Sequence, residues 1–394
     1  MQRLLLFLFL VFIIAAVLRV DFYFTIAYLF FGVYLLSRLW VSNGLKDVRV
    51  ERRYVDRAFH GDTVPVKLSI RNAGRLPITW LQARESIPVA LRLNQPRHHA
   101  FGLNPGESHD IHYTLQCSKR GVYSLGPTRL QTGDALGLLR PESREAAPDR
   151  LIVYPRVVAL AGLGLPTRSP LATLPAPLPL FEDPARVIGV REYAPGDSLR
   201  RIHWTASASA GTLLVKHYQP AIARETLICL DLGYEGYGIR GRFDAIELAI
   251  IAAASIANHI VINQRLPVGL ATEAYDVWAG ERASLSLPLR AERGHLMSVL
   301  EALARVNPTE GVPFADLLRR QRLHLPWGTT VLAITGQDRP ELLEALAQLV
   351  RAGFPAALVL TQPGPARDDM QRRAALLHVP IYRIDRERDL EALR

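Results

Sequence analysis

Residues 191–218, REYAPGDSLRRIHWTASASAGTLLVKHY, hold the densest set of reactive side chains in the chain. Gly196-Asp197-Ser198-Leu199 offers a serine hydroxyl, and His203 follows five residues later. A serine nucleophile needs a base within hydrogen-bond reach and a third group orienting that base. On a helix an offset of five points Ser198 and His203 apart, and the C-terminal tail, IDRERDLEALR, has no histidine to replace it. The same residues also read as local structure. Ala194-Pro195-Gly196-Asp197 is a turn, Asp197 or Ser198 caps a helix over 199–208, Gly211 ends it, and TLLVKHY alternates as a strand. On that reading Arg191, Tyr193, Gly196, Asp197, Arg200, Arg201, His203 and Trp204 form a joint between domains or a partner surface, built from charge pairs and one large aromatic. A plainer alternative makes Trp204 core and the charges a solvated helix face.

The second place to look for chemistry is Asp231, which closes the apolar run TLICLDL. From that run onward the pattern alternates. RFDAIELAIIAAASIANHI, HLMSVLEALARV and RPELLEALAQLVRAG have helical spacing, and LPVGLAT, TTVLAIT, PAALVLT and PIYRI are strand-like. Such alternation implies a mostly parallel sheet covered on both faces, with ligands expected at the carboxyl ends of its strands. His98, His99, His109 and His112 tempt a metal reading. However, HDIH sets His109 and His112 on opposite faces of a strand, without an acid or cysteine at ligand spacing. Cys117 and Cys229 fall in different regions, so no disulfide framework is expected.

The elements that must position these residues are read from composition. Residues 4–18 and 22–36 are two apolar runs separated by Arg19-Val20-Asp21. Each is short of the ~20 residues a membrane helix needs unless its flanks are included, and together they predict a transmembrane hairpin over 1–42. A cleaved signal peptide fits the first run but not a second directly behind it. Arg3 lies before the hairpin and Arg38, Lys46, Arg49, Arg52 and Arg53 after it. Both ends and the rest of the chain are therefore expected in the cytoplasm, the protein being multi-pass in the inner membrane. Residues 43–157 alternate between short apolar strands and turns such as NAGRLP and LNPGE, predicting an immunoglobulin-like antiparallel β-sandwich. Residues 158–190 are rich in proline and leucine and read as an extended inter-domain segment. The net charge is +10. An anionic membrane surface suits that excess better than nucleic acid, for which there is no recognition motif.

REYAPGDSLRRIHW followed by LLVKHY resembles the hallmark of the domain-of-unknown-function 58 family of prokaryotic proteins, and SKRGVYSLGPTRLQTGDALGLL at 118–139 resembles its lead-in. The resemblance implies a C-terminal α/β domain of the von Willebrand factor A type over 226–394, behind a signature segment at 191–225. It also implies genomic company with MoxR-type AAA+ ATPases and no established enzymatic activity. Domains of that type hold Mg²⁺ with Asp-x-Ser-x-Ser plus a later Thr and Asp. Here Asp231 matches the first acid, but Gly233 and Glu235 stand at the serines. Pro313 stands at the Thr, and Gly336 stands where an acid is expected, leaving Asp338 nearest. The expectation is a degenerate site with no cofactor. Gly-Asp-Ser-Leu is also similar to an esterase nucleophile block, but it lacks the apolar strand before it and the Asp-x-x-His block after it. The expected function is therefore a non-enzymatic, membrane-anchored scaffold for protein partners, with a Mg²⁺-dependent ligand-binding domain and a hydrolase as alternatives.

Overall fold

The computed structural model describes residues 9–10, 12–13, 21–93, 98–134, 141–160, 182–194, 202–220, 225–311, 313–337, 339–362 and 368–391. The chain divides into two compact units. One is Met1–Arg156 with Leu303–Arg305, and the other is Val157–Ala302 with Val306–Arg394.

The first unit begins with helix α1 (Asp21–Gly44), whose window Phe24–Val41 is long and apolar enough to cross a membrane. Most of the first apolar run lies outside the described residues. The end of α1 is pinned to the β-rich part of the unit. Trp40 Nε1 donates to the Pro77 carbonyl at 2.9 Å, and Arg144 Nη1 donates to the carbonyls of Leu45 at 2.9 Å and Lys46 at 2.7 Å. Behind the helix come strands β1 (Val48–Arg53), β2 (Arg57–Phe59), β3 (Thr63–Asn72), β4 (Ile78–Glu85), β5 (Leu91–Leu93), β6 (His98–Leu103), β7 (Ser108–Cys117), β8 (Gly121–Leu125), β9 (Thr128–Thr132), β10 (Glu142–Ala146) and β11 (Asp149–Tyr154). They form sheets ordered β1-β3-β7-β5, β10-β9-β4-β6 and β2-β11-β8, all antiparallel except for the β2–β11 pair. Alternate residues of β3 (Val64, Val66, Leu68, Ile70) and β7 (Ile111, Tyr113, Leu115) meet Leu81, Ala83, Leu130 and Leu151 from the other sheets in one core. This is the expected sandwich-like arrangement, with one face of each strand inward.

A charged network crosses the edge of this core. Arg52 and Glu85 have side chains only 2% and 7% exposed and pair at 3.0 Å. Arg52 Nη2 donates to Thr128 Oγ1 at 2.7 Å, that hydroxyl donates to Glu85 Oε2 at 2.7 Å, and Asp149 takes a further guanidinium N–H. The expected lead-in motif thus contributes Thr128 to a buried ion pair. His98 and His99 lie on β6, while His109 and His112 lie on β7, with His109 stacked on Phe101. Among the described residues no group of histidine, cysteine or carboxylate side chains could hold a metal. Cys117 and Cys229 are both buried and free.

The second unit opens with a hairpin of β12 (Glu182–Glu192) and β13 (Leu214–Pro220), with helix α2 (Trp204–Ala210) in the connection. β12 runs across the expected boundary between the proline-rich and signature segments. Next come β14 (Thr226–Asp231), α3 (Arg242–Asn258, continued by a π turn to Asn263), β15 (Val268–Asp276), β16 (Glu281–Arg290), α4 (Arg293–Arg305), β17 (Val306–Asn307), α5 (Phe314–Gln321), β18 (Thr330–Thr335), α6 (Pro340–Arg351), β19 (Ala356–Leu360), α7 (Asp368–Leu376), β20 (Ile381–Arg383) and α8 (Glu387–Glu391). The sheet order is β16-β15-β14-β18-β19-β20, with β17 beside β15. Pairs from β15 through β20 along that order are parallel, and β16 and β17 are antiparallel to β15. β14, β18 and β19 are buried at every residue, which is why they read as continuous apolar runs. α3 is also long and apolar enough to span a bilayer, but 78% of its window is buried, so it is the core helix of this unit.

Candidate functional site

β14 and β18 are neighbours in the sheet, while the chain leaves β14 towards β15 on one side and leaves β18 towards β19 on the other. Between their carboxyl ends lies the topological switch point, where open α/β sheets place their ligands. Asp231 ends β14 there, and it is buried. Its Oδ1 accepts the Gly233 N–H at 2.9 Å, and its Oδ2 accepts the Thr335 hydroxyl, from the end of β18, at 2.6 Å. Tyr237 donates its phenol to the Asp231 carbonyl at 2.7 Å. Burial pushes the Asp231 carboxyl up to about 6, against the pull of the Thr335 and Gly233 hydrogen bonds. The same burial drives the Tyr237 phenol well above its ordinary value.

Two glycines close the loops over this acid. A Cβ on Gly236 would lie 2.0 Å from Asp231 Oδ2, and one on Gly336 would lie 2.3 Å from the Tyr237 ring and 2.7 Å from the Gly236 carbonyl. Gln337 N–H donates to that carbonyl at 3.0 Å, so the loops after β14 and β18 are laced together at their crossing. Gln362, just past β19, accepts the Gly238 N–H at 2.6 Å and donates to the Arg240 carbonyl. Beyond the crossing a cleft of about 240 Å³ opens between Asp231, Glu235, Pro313, Gln337, Arg339 and Glu341. Beside it, Glu273 at the end of β15 pairs with Arg282 at 3.0 Å and with Arg320. A Cβ on Gly311 would collide with the Arg282 guanidinium at 2.5 Å. In the segment that leads from β14 into α3, Ile239 is 88% exposed and Phe243 68%, with Phe243 edge-on to Tyr234 and the Arg242 guanidinium 5.4 Å from the Tyr234 ring centre.

These residues do not fit a magnesium centre. A hard divalent cation takes about six oxygen ligands. Among the described residues the floor offers one carboxylate, with each oxygen already holding a protein donor, and a side chain at position 336 would meet the Tyr237 ring. Sequence reasoning found Asp231 but missed Thr335, Glu273, Arg282 and Arg320. Thr335 was detectable as a hydroxyl closing a buried strand next to the one that ends in Asp231.

The signature stretch is positioned differently from expectation. Gly196, Asp197, Ser198, Arg200 and Arg201 lie outside the described residues, as does Asp338. The helix expected over 199–208 is Trp204–Ala210. His203 caps it, its Nδ1 accepting the Ala206 N–H at 3.2 Å, in place of Asp197 or Ser198. Gly211 ends it in the left-handed region at φ 70°, as expected. Ser207 fastens the helix to β13 by accepting the Leu214 N–H at 2.9 Å, while Tyr193 N–H donates to the Leu213 carbonyl at 2.8 Å. Arg191 Nη1 donates to the Glu192 carbonyl at 3.1 Å. The core reading of Trp204 is wrong, because its side chain is 68% exposed.

The family described as protein of unknown function DUF58 matches residues 189–320, a span that runs from this hairpin through Asp231 to the end of α5. That span is similar to the DUF58 family. The uncharacterized protein YeaD of Bacillus subtilis (strain 168) is 25% identical over 300 residues, covering 75% of this chain and 71% of its own. Two solved structures show weak likeness. The CARDB domain of the PF1109 protein from Pyrococcus furiosus is 16% identical, covers 27% of this chain and 92% of its own, and has a TM-score of 0.22. Native α2-macroglobulin of Escherichia coli is 20% identical, covers 29% and 7%, and has a TM-score of 0.24. At such scores no property of either protein carries over to this one.

Proposed function

We propose that this protein is a DUF58-like, membrane-anchored, non-enzymatic adaptor. On this reading residues 1–42 form a hairpin with both ends in the cytoplasm, residues 43–157 an immunoglobulin-like sandwich, and residues 226–394 a von Willebrand factor A-like domain that binds protein partners. Its partner class is the MoxR-type AAA+ ATPase that the family resemblance implies. The strand order supports the domain assignment: counted from β14 without β17, it runs 3-2-1-4-5-6. One observation carries the functional reading. Where such a sheet would do its chemistry, the acid is held by internal donors, while Ile239 and Phe243, in the segment that follows β14, stand open to solvent. Neighbouring exposed apolar side chains support a contact surface.

The test is cross-linking of the full-length protein to a MoxR-type ATPase in native membranes. Ile239→Ser and Trp204→Ala remove exposed side chains, so each is expected to leave stability within ~0.5 kcal/mol while reducing the cross-linked product severalfold. Undiminished cross-linking in both folded variants, or ester or phosphoester hydrolysis by the purified protein that disappears in Asp231→Asn, would overturn the adaptor reading.

A further inference from the structure

The opposite end of the C-terminal sheet has a distinct composition. In a parallel sheet every helix-to-strand loop returns to the amino edge. Here that edge gathers the loops before β15, β18, β19 and β20, together with the end of antiparallel β16, whose Arg290 pairs with Val268 at the start of β15. Each of the first three connections brings an exposed arginine: Arg265 before β15, Arg322 before β18 and Arg351 before β19. Arg290 from β16 is exposed as well, and none of the four makes an ion pair or side-chain hydrogen bond among the described residues. Among the described residues the acids in these connections are Glu225, whose Oε2 is buried, and Glu292. Between the arginines stand large apolar groups. Leu323 is 75% exposed and Trp327 is 60% exposed, both in the loop after α5, and Leu376 is 79% exposed at the end of α7. The Trp327 indole is braced against Gly353, where an added Cβ would lie 2.9 Å from Nε1.

We infer that this amino edge is a peripheral membrane-binding face that rests on anionic lipid, with Leu323 and Trp327 entering the headgroup layer and Arg265, Arg290, Arg322 and Arg351 meeting lipid phosphates. Three features single out this occupant. The arginines come from separate loops along one sheet edge, which spreads charge over a plane. The tryptophan and leucine lie among the arginines, as at a bilayer interface, where an indole finds both apolar and polar surroundings. The same chain also has in α1 a helix apolar enough to hold it at a membrane, so a lipid surface is the partner held at highest local concentration. A nucleic acid would satisfy the charge but leaves Leu323 and Leu376 without a role, and an acidic protein is an outcome the test below separates. The inference extends the membrane part of the adaptor reading, and its test separates the two.

Cys117 and Cys229 are buried, so a cysteine introduced at Leu323 takes an environment-sensitive fluorophore selectively. The full-length protein labelled at Leu323→Cys is reconstituted into phosphatidylcholine vesicles with or without phosphatidylglycerol. The expected result is a blue shift only in the anionic vesicles, reversed by salt, with no shift for a label at Ile239→Cys on the other edge. Replacing Arg265, Arg322 and Arg351 singly by Gln weakens the lipid-contacting fraction about fivefold each, since a basic residue at an anionic surface contributes ~1 kcal/mol. A label that stays in water on anionic vesicles, shifts equally on neutral ones, or is shielded only by a soluble polyanion or acidic protein would overturn the inference. Alkali-resistant flotation of the same samples reports α1 insertion independently, so a failed anchor and a failed edge contact give different results.

Discussion

Asp231→Asn tests the central claim about the cleft, that its acid is a buried group better off neutral and not a ligand awaiting a cation. Burial raises its folded-state pKa from the ordinary 3.8 to about 6. Between those values the native protein holds a proton that the unfolded chain has released, so stability falls as pH rises and levels off above about 6. At ~1.4 kcal/mol per unit the ionised form costs the folded protein ~3 kcal/mol at neutral pH. An asparagine can still accept from Gly233 and donate to Thr335, losing ~1 kcal/mol of hydrogen bonding. The variant should therefore be ~1–2 kcal/mol more stable than wild type at pH 8 and equal or slightly weaker at pH 4. Urea melts of the full-length protein in detergent at the two pH values measure this, read as the change in midpoint of the transition that the substitution moves. A wild type that gains stability over Asp231→Asn as pH rises would refute the reasoning, because the carboxylate would then be stabilised as an ion.

Gly336→Ala puts a methyl group into the Tyr237 ring and should cost ~1–3 kcal/mol by overpacking, with faster hydrogen exchange in the 232–241 loop as the local readout. Unchanged exchange there would show that the two loops are not locked. Arg52→Ala strands the buried Glu85 carboxylate in the N-terminal unit and should cost ~3–5 kcal/mol in a denaturant melt. A loss below ~1 kcal/mol would mean that water already reaches the pair.

Much of this architecture was legible in the sequence, for physical reasons that differ by element. β14, β18 and β19 are covered on both faces and so appear as uninterrupted apolar runs, and α3 is recognisable by its length. β16 was missed although Ala283, Leu285, Leu287 and Leu289 alternate, because Pro288 reads as a break and the segment lies between two stronger signals; as an edge strand it has only every other residue half-buried. The α2 start was misplaced because the usual caps are Asp, Ser, Thr and Asn, and the sequence offered Asp197 and Ser198 while the structure used the His203 ring. The core alternative for Trp204 rested on the default that a large aromatic packs inside, and its 68% exposure excludes it, leaving the joint or partner-surface reading. The Thr335–Asp231 bond and the glycine crossing join positions about a hundred residues apart, and no local pattern announces such a meeting.

The glycine crossing also limits how this lineage can change. A metal-binding ancestor or descendant would need an acid or hydroxyl near position 336, yet any side chain there must displace Tyr237, and any at 236 must displace the Asp231 carboxylate. No single substitution restores a coordination sphere from this arrangement; the loops must part first, at a cost in folding borne before any cation could repay it. The two glycines thus act as a ratchet, holding the two loops crossed over Asp231 while the side chains around them remain free to diversify.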